Sequence, residues 1–559
     1  MLLSNLDLLA TAPGGVTKLR ELILTLAVQG KLVPQDPADE PASVLLQKIR
    51  AEKDRLIAEG KIKRDKPLLP IIEEEKPFEL PKGWEWVRLP EVTYNLGQGE
   101  PTTSFNYIDV AAIDNLKGLV SSELQVIAAI DAPSRARKNV AVGTVIYSTI
   151  RPYLKNIALI EHEYNPRAIL STAFAVMHPH TGLVPKYLLH YLRSQPFTEF
   201  VNSRAVGIAY PAINDANFFQ GIIPLPSIEE QSRIVTRVES LIRLCDALEA
   251  KGQLEAMQHA QLVSTLLGTL TASTTPEELS ANWQRVAQHF DLLLDRPEAI
   301  DALEQTLLQL AVRGLLVPQD PTDEPASTLL QRIRTEKDRL IAEGKIKRDK
   351  PLPPITDEEK PFELPNGWVW ARFPELGQFG RGKSRHRPRN DPVLFNPPVY
   401  PVVQTGEVAR AKGIIREYHS KYSEIGLAQS RLWPKGTLCI TIAANIADAA
   451  VLGFDACFPD SVVGFVPANE IGDASYFLAF METARTHLIA FAPATAQKNI
   501  NLEILESVLI PIPPQAEMSR IVTRVTALRR LCADLRQRLA ERQSVQARLA
   551  EALVAQAGA

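Results

Sequence analysis

Cysteine is scarce. It occurs at Cys245, Cys439, Cys457 and Cys532, and no two are spaced C-x-x-C. That spacing suggests neither a zinc ribbon nor a disulfide framework, so reduced thiols in a cytoplasmic protein are the expectation. Net charge is nearly absent: 62 Lys and Arg stand against 65 Asp and Glu, leaving −3. A chain that coats nucleic acid without selectivity carries a large positive excess, so any DNA contact here must be local or supplied by basic partners. No apolar run approaches the roughly 18 residues that a membrane span needs, and no membrane partner is expected. The opening Met1–Asp7 lacks a basic stretch, so no signal peptide is expected.

Apolar residues make up 45% and charged residues 23%, enough to build several buried cores. A length of 559 residues suggests about three or four domains. The informative feature is a duplication. LAVQGKLVPQDPADEPAS, from Leu26, returns as LAVRGLLVPQDPTDEPAS, from Leu310. Glu52–Leu68 returns without change as Glu336–Leu352, and KPFELPKGWEW, ending at Trp86, returns as KPFELPNGWVW, ending at Trp370. A second block, RIVTRV at Arg233–Val238, recurs at Arg520–Val525 after similar lead-ins, IPLPSIEEQS and IPIPPQAEMS. The order is B–X–A–B′–Y–A′, with boundaries at residues 1–86, 87–226, 227–370, 371–513 and 514–559. X and Y show no comparable alignment. A scaffold kept alike around unlike inserts suits one task performed on two targets.

Block A spaces Ile234, Val238, Leu241, Cys245 and Leu248 by fours and threes, a heptad seam. Block A′ repeats it at Ile521, Val525, Leu528, Cys532, Leu535 and Leu539. Ser227-Ile228-Glu229-Glu230 reads as a capping box, and Pro514 replaces its serine in A′. Block B predicts helices over Val16–Val28 and Ala42–Glu59, the second ended by Gly60; B′ predicts Ile300–Val312 and Ala326–Glu343. Such a seam needs a partner helix. A is expected to fold back on B′, and A′ on B, which would bring the chain ends together. The seam residues Ile234, Val238, Leu241, Leu248, Ile521, Val525, Leu528 and Leu535 are candidate partner-binding positions.

The chain resembles the specificity subunits of type I restriction–modification enzymes. The resemblance rests on the LAVQGKLVPQDPADEPAS and GWEW blocks, the IPLPSIEEQSRIV junction and STIRPYLKN at Ser148–Asn156, and covers essentially the whole chain. It implies an α+β fold: two globular α/β target-recognition domains, X and Y, separated by two long antiparallel helical regions in a pseudo-two-fold arrangement with adjacent termini. It implies a non-catalytic chain whose recognition domains each read one half of a bipartite site in double-stranded DNA. Two methyltransferase subunits and motor–nuclease restriction subunits are the implied partners. S-adenosylmethionine, ATP and magnesium are expected on those partners, and no cofactor or metal on this chain.

Base reading needs side chains that reach groove edges, and register needs phosphate contacts. In Y, Gly380–Asn390 is the most basic stretch and reads as a loop, offering Arg381, Lys383, Ser384, Arg385, Arg387 and Arg389. Gln404 follows an apolar strand-like run, Val399–Val403, and Lys498 lies in the polar cluster Gln497–Asn499. In X the candidates are Arg135, Arg137 and Lys138, then Arg151 and Lys155, with Asn214 and Asn217 nearby. Arg151 sits between apolar strands and is equally suited to pair with a buried carboxylate.

Three strings imitate catalytic motifs. Gly377–Ser384 fits G-x-x-x-x-G-K-[ST], but no amphipathic helix follows. Asn396-Pro397-Pro398-Val399 resembles an amino-methyltransferase motif without its aromatic, so it cannot stack on a base. Glu74-Glu75-Lys76 and Glu358-Glu359-Lys360 imitate a nuclease E-x-K within a charged linker and read as solvated charge. A self-sufficient methyltransferase and a coiled-coil scaffold that ignores DNA are the rival readings.

Overall fold

The computed structural model describes residues 6–64, 67–207, 209–346, 348, 350–386, 388–443, 446–490 and 500–558. It forms two compact units, one of Met1–Glu255 with Arg542–Ala559, the other Ala256–Glu541.

In the first unit, helix Gly15–Val28 buries Leu22, Ile23, Ala27 and Val28. It stops where Gly30 enters the left-handed region at φ 68°, a conformation that costs other residues about 1–2 kcal/mol. A Cβ there would also meet Pro81 Cγ at 2.4 Å. In the second unit, helix Pro297–Val312 ends the same way at Gly314, φ 72°, with Pro365 Cγ at 2.7 Å. The repeated glycine, proline and tryptophan are therefore one interlocking joint. Helices Ala42–Ala58 and Ala326–Ala342 follow the expected spans closely.

Block A becomes helix Ile228–Ala272 and block A′ becomes helix Gln515–Gly558. Their packing differs from the simple exchange expected above. Ile234, Val235, Val238 and Cys245 share a core with Ile23, Ala27, Val28 and Trp84 of block B. Arg20 meets Asp246 and Glu249 at 2.6 and 2.8 Å. The last turns of the same helix, Val263, Leu267 and Leu270, pack in the second unit with Val286, Ile300 and Leu303. The second long helix starts on B′: Ile521 and Val525 join Leu308, Ala311 and Trp368, and Cys532 and Leu539 join Ile300 and Leu307, flanked by Leu528 and Leu535. It ends with Ala550 against Leu9 and Ala12 of block B. Each long helix thus begins on its own block and finishes on the other. A 45-residue helix is far longer than a 14-residue partner, so one short helix cannot cover its seam. The first and last described segments do meet. The seam residues proposed for partner binding are instead committed to these cores, with Leu248 left partly exposed.

Polar joints explain other repeated residues. The Trp84 indole donates to Glu230 at 2.9 Å and that of Trp368 to Glu517 at 3.0 Å. Arg233 holds Asp39, and Arg520 holds Asp323, each at 2.6 Å. Ser227 accepts from the Glu230 amide at 3.0 Å, as the capping box requires. The Glu230 carboxylate, however, turns to Trp84 and Gln35. Glu75 also departs from its reading as solvated charge. It pairs at 2.7 Å with Arg88, whose side chain is 3% exposed, and Glu359 pairs with buried Arg372 at 3.2 Å.

X and Y, which do not align, share one strand order, to which X adds the edge strand Ile113–Asp114. The larger sheet of X runs Thr93–Tyr94, Phe174–Pro179, Val145–Ser148, Ile157–Leu159, Leu119–Val120, Ile113–Asp114. That of Y runs Gly377–Arg381, Val462–Pro467, Leu438–Thr441, Ala449–Leu452, Ile414–Ile415. In both, the first three pairings are antiparallel and the fourth parallel. The smaller sheets run Gln125–Ile127, Phe105–Ile108, Ala168–Ser171, Ala136–Asn139 in X and Ser420–Tyr422, Tyr400–Val402, Ala456–Cys457, Leu432–Trp433 in Y. Their pairings are antiparallel, parallel, antiparallel in each. A two-stranded ribbon ties each domain to its scaffold, Glu85–Arg88 with Ile222–Leu225 and Val369–Arg372 with Leu509–Ile512. The boundaries drawn at residues 86 and 370 fall inside these strands.

Candidate nucleic-acid interface

In X, four loops are laced by backbone hydrogen bonds. The Thr172 amide donates to the Arg135 carbonyl at 2.8 Å, and the Thr149 amide to that of Ala173 at 2.8 Å. The Ile213 amide donates to Thr149 at 2.9 Å and the Arg151 amide to Pro211 at 2.7 Å. Exposed Arg135 and partly exposed Arg151 therefore share one rim. Arg151 adopts φ 48°, and its guanidinium lies 4.3 Å over the ring of Tyr210, which is 68% exposed. The carboxylate partner anticipated for Arg151 does not occur among the described residues; an aromatic face takes that place. Lys155, four residues on, is also left-handed at φ 52°, and burial pulls its ammonium below the ordinary lysine range.

Arg137 reaches the Glu100 carboxylate at 3.1 Å. Lys138 is a different case from its neighbours. Its side chain is 8% exposed, donating to the Phe174 carbonyl at 2.6 Å and pairing with Asp215 at 3.0 Å. The strand Ala136–Asn139 alternates, burying Ala136 and Lys138, so the period of two turns this cation inward. Lys138 is a structural residue. Asn214 is occupied as a helix cap, accepting from the Asn217 amide at 2.8 Å.

In Y, the basic stretch is part strand and part loop. Gly380 and Arg381 belong to edge strand Gly377–Arg381, and the loop begins at Gly382. The Gly382 and Lys383 amides donate to Val462 and Phe458 carbonyls at 2.8 and 3.1 Å. Backbone donors spent on a sheet rim cannot cradle a phosphate, and no helix begins there, so Gly377–Ser384 lacks the architecture of a P-loop. Arg381 and Arg389 converge on Asp460, through its carbonyl at 2.9 Å and its carboxylate at 3.0 Å. Lys383 and Arg385 are exposed, whereas Ser384 is buried. Exposed Gln404 starts helix Thr405–Arg410, its amide donating to Glu407 at 3.0 Å. Arg387 and Lys498 lie outside the described residues.

The two domains place this chemistry differently on one frame. In each, the loop after the first strand packs on the last strand of the smaller sheet or on the residues that lead into it. In X that loop is Asn95–Ser104, with Gly99 donating to Arg137 at 2.9 Å. It carries no Lys or Arg, and the cations stand on the strand side at Arg135 and Arg137. In Y the loop holds the cations, with Ser430 donating to the Lys383 carbonyl at 2.9 Å and Gln429 accepting from the Arg385 amide at 2.6 Å. Arg431 escaped the sequence reading. Its guanidinium sits 3.9 Å over buried Trp433, beside that loop, and burial lowers its pKa from the ordinary value. Arg-Leu-Trp offers no sequence signal to distinguish it from a plain strand.

Residues 81–258 and 365–542 both match the family described as type I restriction modification DNA specificity domain. The chain is 46% identical over 375 residues to the EcoAI specificity subunit of Escherichia coli, an alignment covering 66% of this chain and 63% of that protein. It is 36% identical to the EcoEI specificity subunit of Escherichia coli, covering 96% of this chain and 93% of the relative. A solved structure from work on complex assembly and conformational transition of the type I R-M system shares the fold, with TM-score 0.52 and 23% identity over 86% of this chain and 99% of the other. Two family matches, one around each recognition domain, together span more than half of the sequence, and the chain belongs to the type I restriction–modification DNA specificity family.

Proposed function

We propose that this chain is the sequence-reading subunit of a type I DNA methyltransferase and restriction complex. X reads one half of a bipartite, asymmetric site in duplex DNA and Y reads the other. The scaffold helices recruit two methyltransferase subunits and set the spacing of the half-sites. Restriction subunits complete the assembly. S-adenosylmethionine, ATP and magnesium act on those partners, and adenine methylation is their chemistry. The observation that carries this reading is the pair of domains with one strand order and different loops, with the cations at Arg135 and Arg137 in X and at Lys383 and Arg385 in Y. One frame with two sets of contacts is what two unlike half-sites demand.

The test is a methylation map of a host carrying the full complex. Replacing X with that of a relative should change one half-site and leave the other, and the spacer, intact. Changes in both halves, or in neither, would contradict the assignment. The purified subunit alone, with its net charge of −3, should bind DNA weakly and salt-sensitively, gaining affinity when the basic partners join.

A further inference from the structure

Arg151 combines a strained backbone with an unspent side chain. It lies just beyond the buried strand Val145–Ser148 and precedes Pro152. Its φ of 48° is left-handed, a conformation that strains any residue with a Cβ and persists only where the surroundings enforce it. Here they do. Ile150 forms an antiparallel bridge with Ala212, and Ala212 forms another with Val206. The Arg151 amide donates to the Pro211 carbonyl at 2.7 Å, and the Leu154 amide donates to the Arg151 carbonyl at 3.0 Å.

The guanidinium lies 4.3 Å from the ring centroid of Tyr210, which is itself exposed. Its Nε is enclosed without an acceptor among the described residues. A ring face fixes the plane of the guanidinium fork and consumes none of its donors. Arg137, on the neighbouring strand, has instead spent its fork on the Glu100 carboxylate at 3.1 Å.

The domain frame does not need this pair. The hydrogen bond from the Ile213 amide to Thr149, at 2.9 Å, has its counterpart in Y, where the Ile500 amide donates to Ile442 at 3.0 Å. A capping asparagine follows each, Asn214 and Asn501. Counted from these matched residues, Arg151 corresponds to Ala444 and Tyr210 to Gln497. Both lie outside the described residues, but alanine brings no cation and glutamine no ring. Y keeps the common strand order without the pair, so the pair answers to something particular to X.

We propose that Arg151 reads a guanine in the half-site of X, and that Tyr210 is the positioning residue that fixes its plane. The proposal rests on the function above, in which X reads one half-site. A guanidinium edge held in one plane offers two parallel donors, which match O6 and N7 of guanine in the major groove. A phosphate contact sets register and carries no sequence information, and exposed Arg135 on the same rim is suited to it without a fixed plane.

The test uses the full complex of this chain with its methyltransferase subunits and maps the methylated sites of each variant. Arg151→Met should relax one guanine position of the X half-site, with discrimination there falling roughly tenfold to a hundredfold. Tyr210→Ala should relax the same position, and Tyr210→Phe, which keeps the ring face, should preserve it. The Y half-site and the spacer should not change. A duplex carrying 7-deazaguanine at that position lacks the N7 acceptor. The unsubstituted complex should methylate it more slowly than the guanine duplex, and the Arg151→Met complex should treat the two alike. Slower methylation at every site, with no base released, would make Arg151 a phosphate contact and overturn the proposal. So would an X half-site without a G·C pair, or a Tyr210→Ala map identical to that of the unsubstituted chain. The Tyr210 variants alter an exposed ring and give an answer even where Arg151→Met fails to fold. If exchanging X moves neither half-site, the functional reading falls. If that exchange moves one half-site while Arg151→Met and Tyr210→Ala release no base, the assignment of Arg151 alone falls.

Discussion

Lys138 and Lys383 carry the same formal charge in opposite surroundings. The ammonium of Lys138 is enclosed, bound to the Phe174 carbonyl and Asp215. Lys138→Met should leave those acceptors unpaired and cost about 1–3 kcal/mol, seen as a lower melting temperature. Lys383→Ala with Arg385→Ala should leave melting unchanged and weaken DNA binding by the complex. The slope of log affinity against log salt should fall by about one for each phosphate no longer neutralised. An unaltered salt slope would remove these two residues from the interface. Glu230 and Glu517 invite a pH experiment. Burial raises both carboxyls above the ordinary range, opposed by the hydrogen bonds from Trp84 and Trp368. A folded-state pKa above the unfolded one means that the native chain binds protons more readily, so these groups make stability fall as pH rises through the raised values. Glu230→Gln with Glu517→Gln keeps an acceptor for each indole and removes the charge. The variant should lose that part of the decline, flattening the melting temperature between mildly acidic and neutral pH.

At the scale of elements, the scaffold was legible because its packing is written in side chains. The heptad spacing marked the long helices, and the repeated Gly-Trp blocks marked their joints. The heptad seam is legible only as far as Leu248 and Leu539, because periodicity weakens where it passes from one partner to the next, as between Cys245 and Val263. The shared topology of X and Y was not legible. Strand order is fixed by backbone hydrogen bonds, which the apolar runs Leu438–Thr441 and Val145–Ser148 satisfy equally well with different side chains. The interface was legible as composition only. The basic run in Y was visible, but the inward turn of Lys138 and the aromatic seat of Arg431 depend on strand phase. The Gly30 and Gly314 joints give the element-scale prediction. Alanine at either would force a left-handed residue against Pro81 or Pro365. Each should cost at least about 1–2 kcal/mol, lowering the denaturant midpoint with little change in its slope.

At the scale of the whole molecule, the functional reading makes the long helices a ruler. Helix Ile228–Ala272 has 45 residues. Ala250–Ala256 lies in its mostly exposed middle. Removing those residues deletes about 10 Å at ~1.5 Å per residue, roughly three base pairs of B-DNA at ~34 Å per turn. A seven-residue deletion is close to two helical turns and shifts the seam by only ~20°, so Val263, Leu267 and Leu270 can still face Ile300 and Leu303. Methylation mapping with the shortened chain should therefore return the same two half-sites with a spacer about three base pairs shorter. The half-sites act as the internal control, because their loops are untouched. Unchanged half-sites with an unchanged spacer would show that the helix carries the readers without measuring the distance between them.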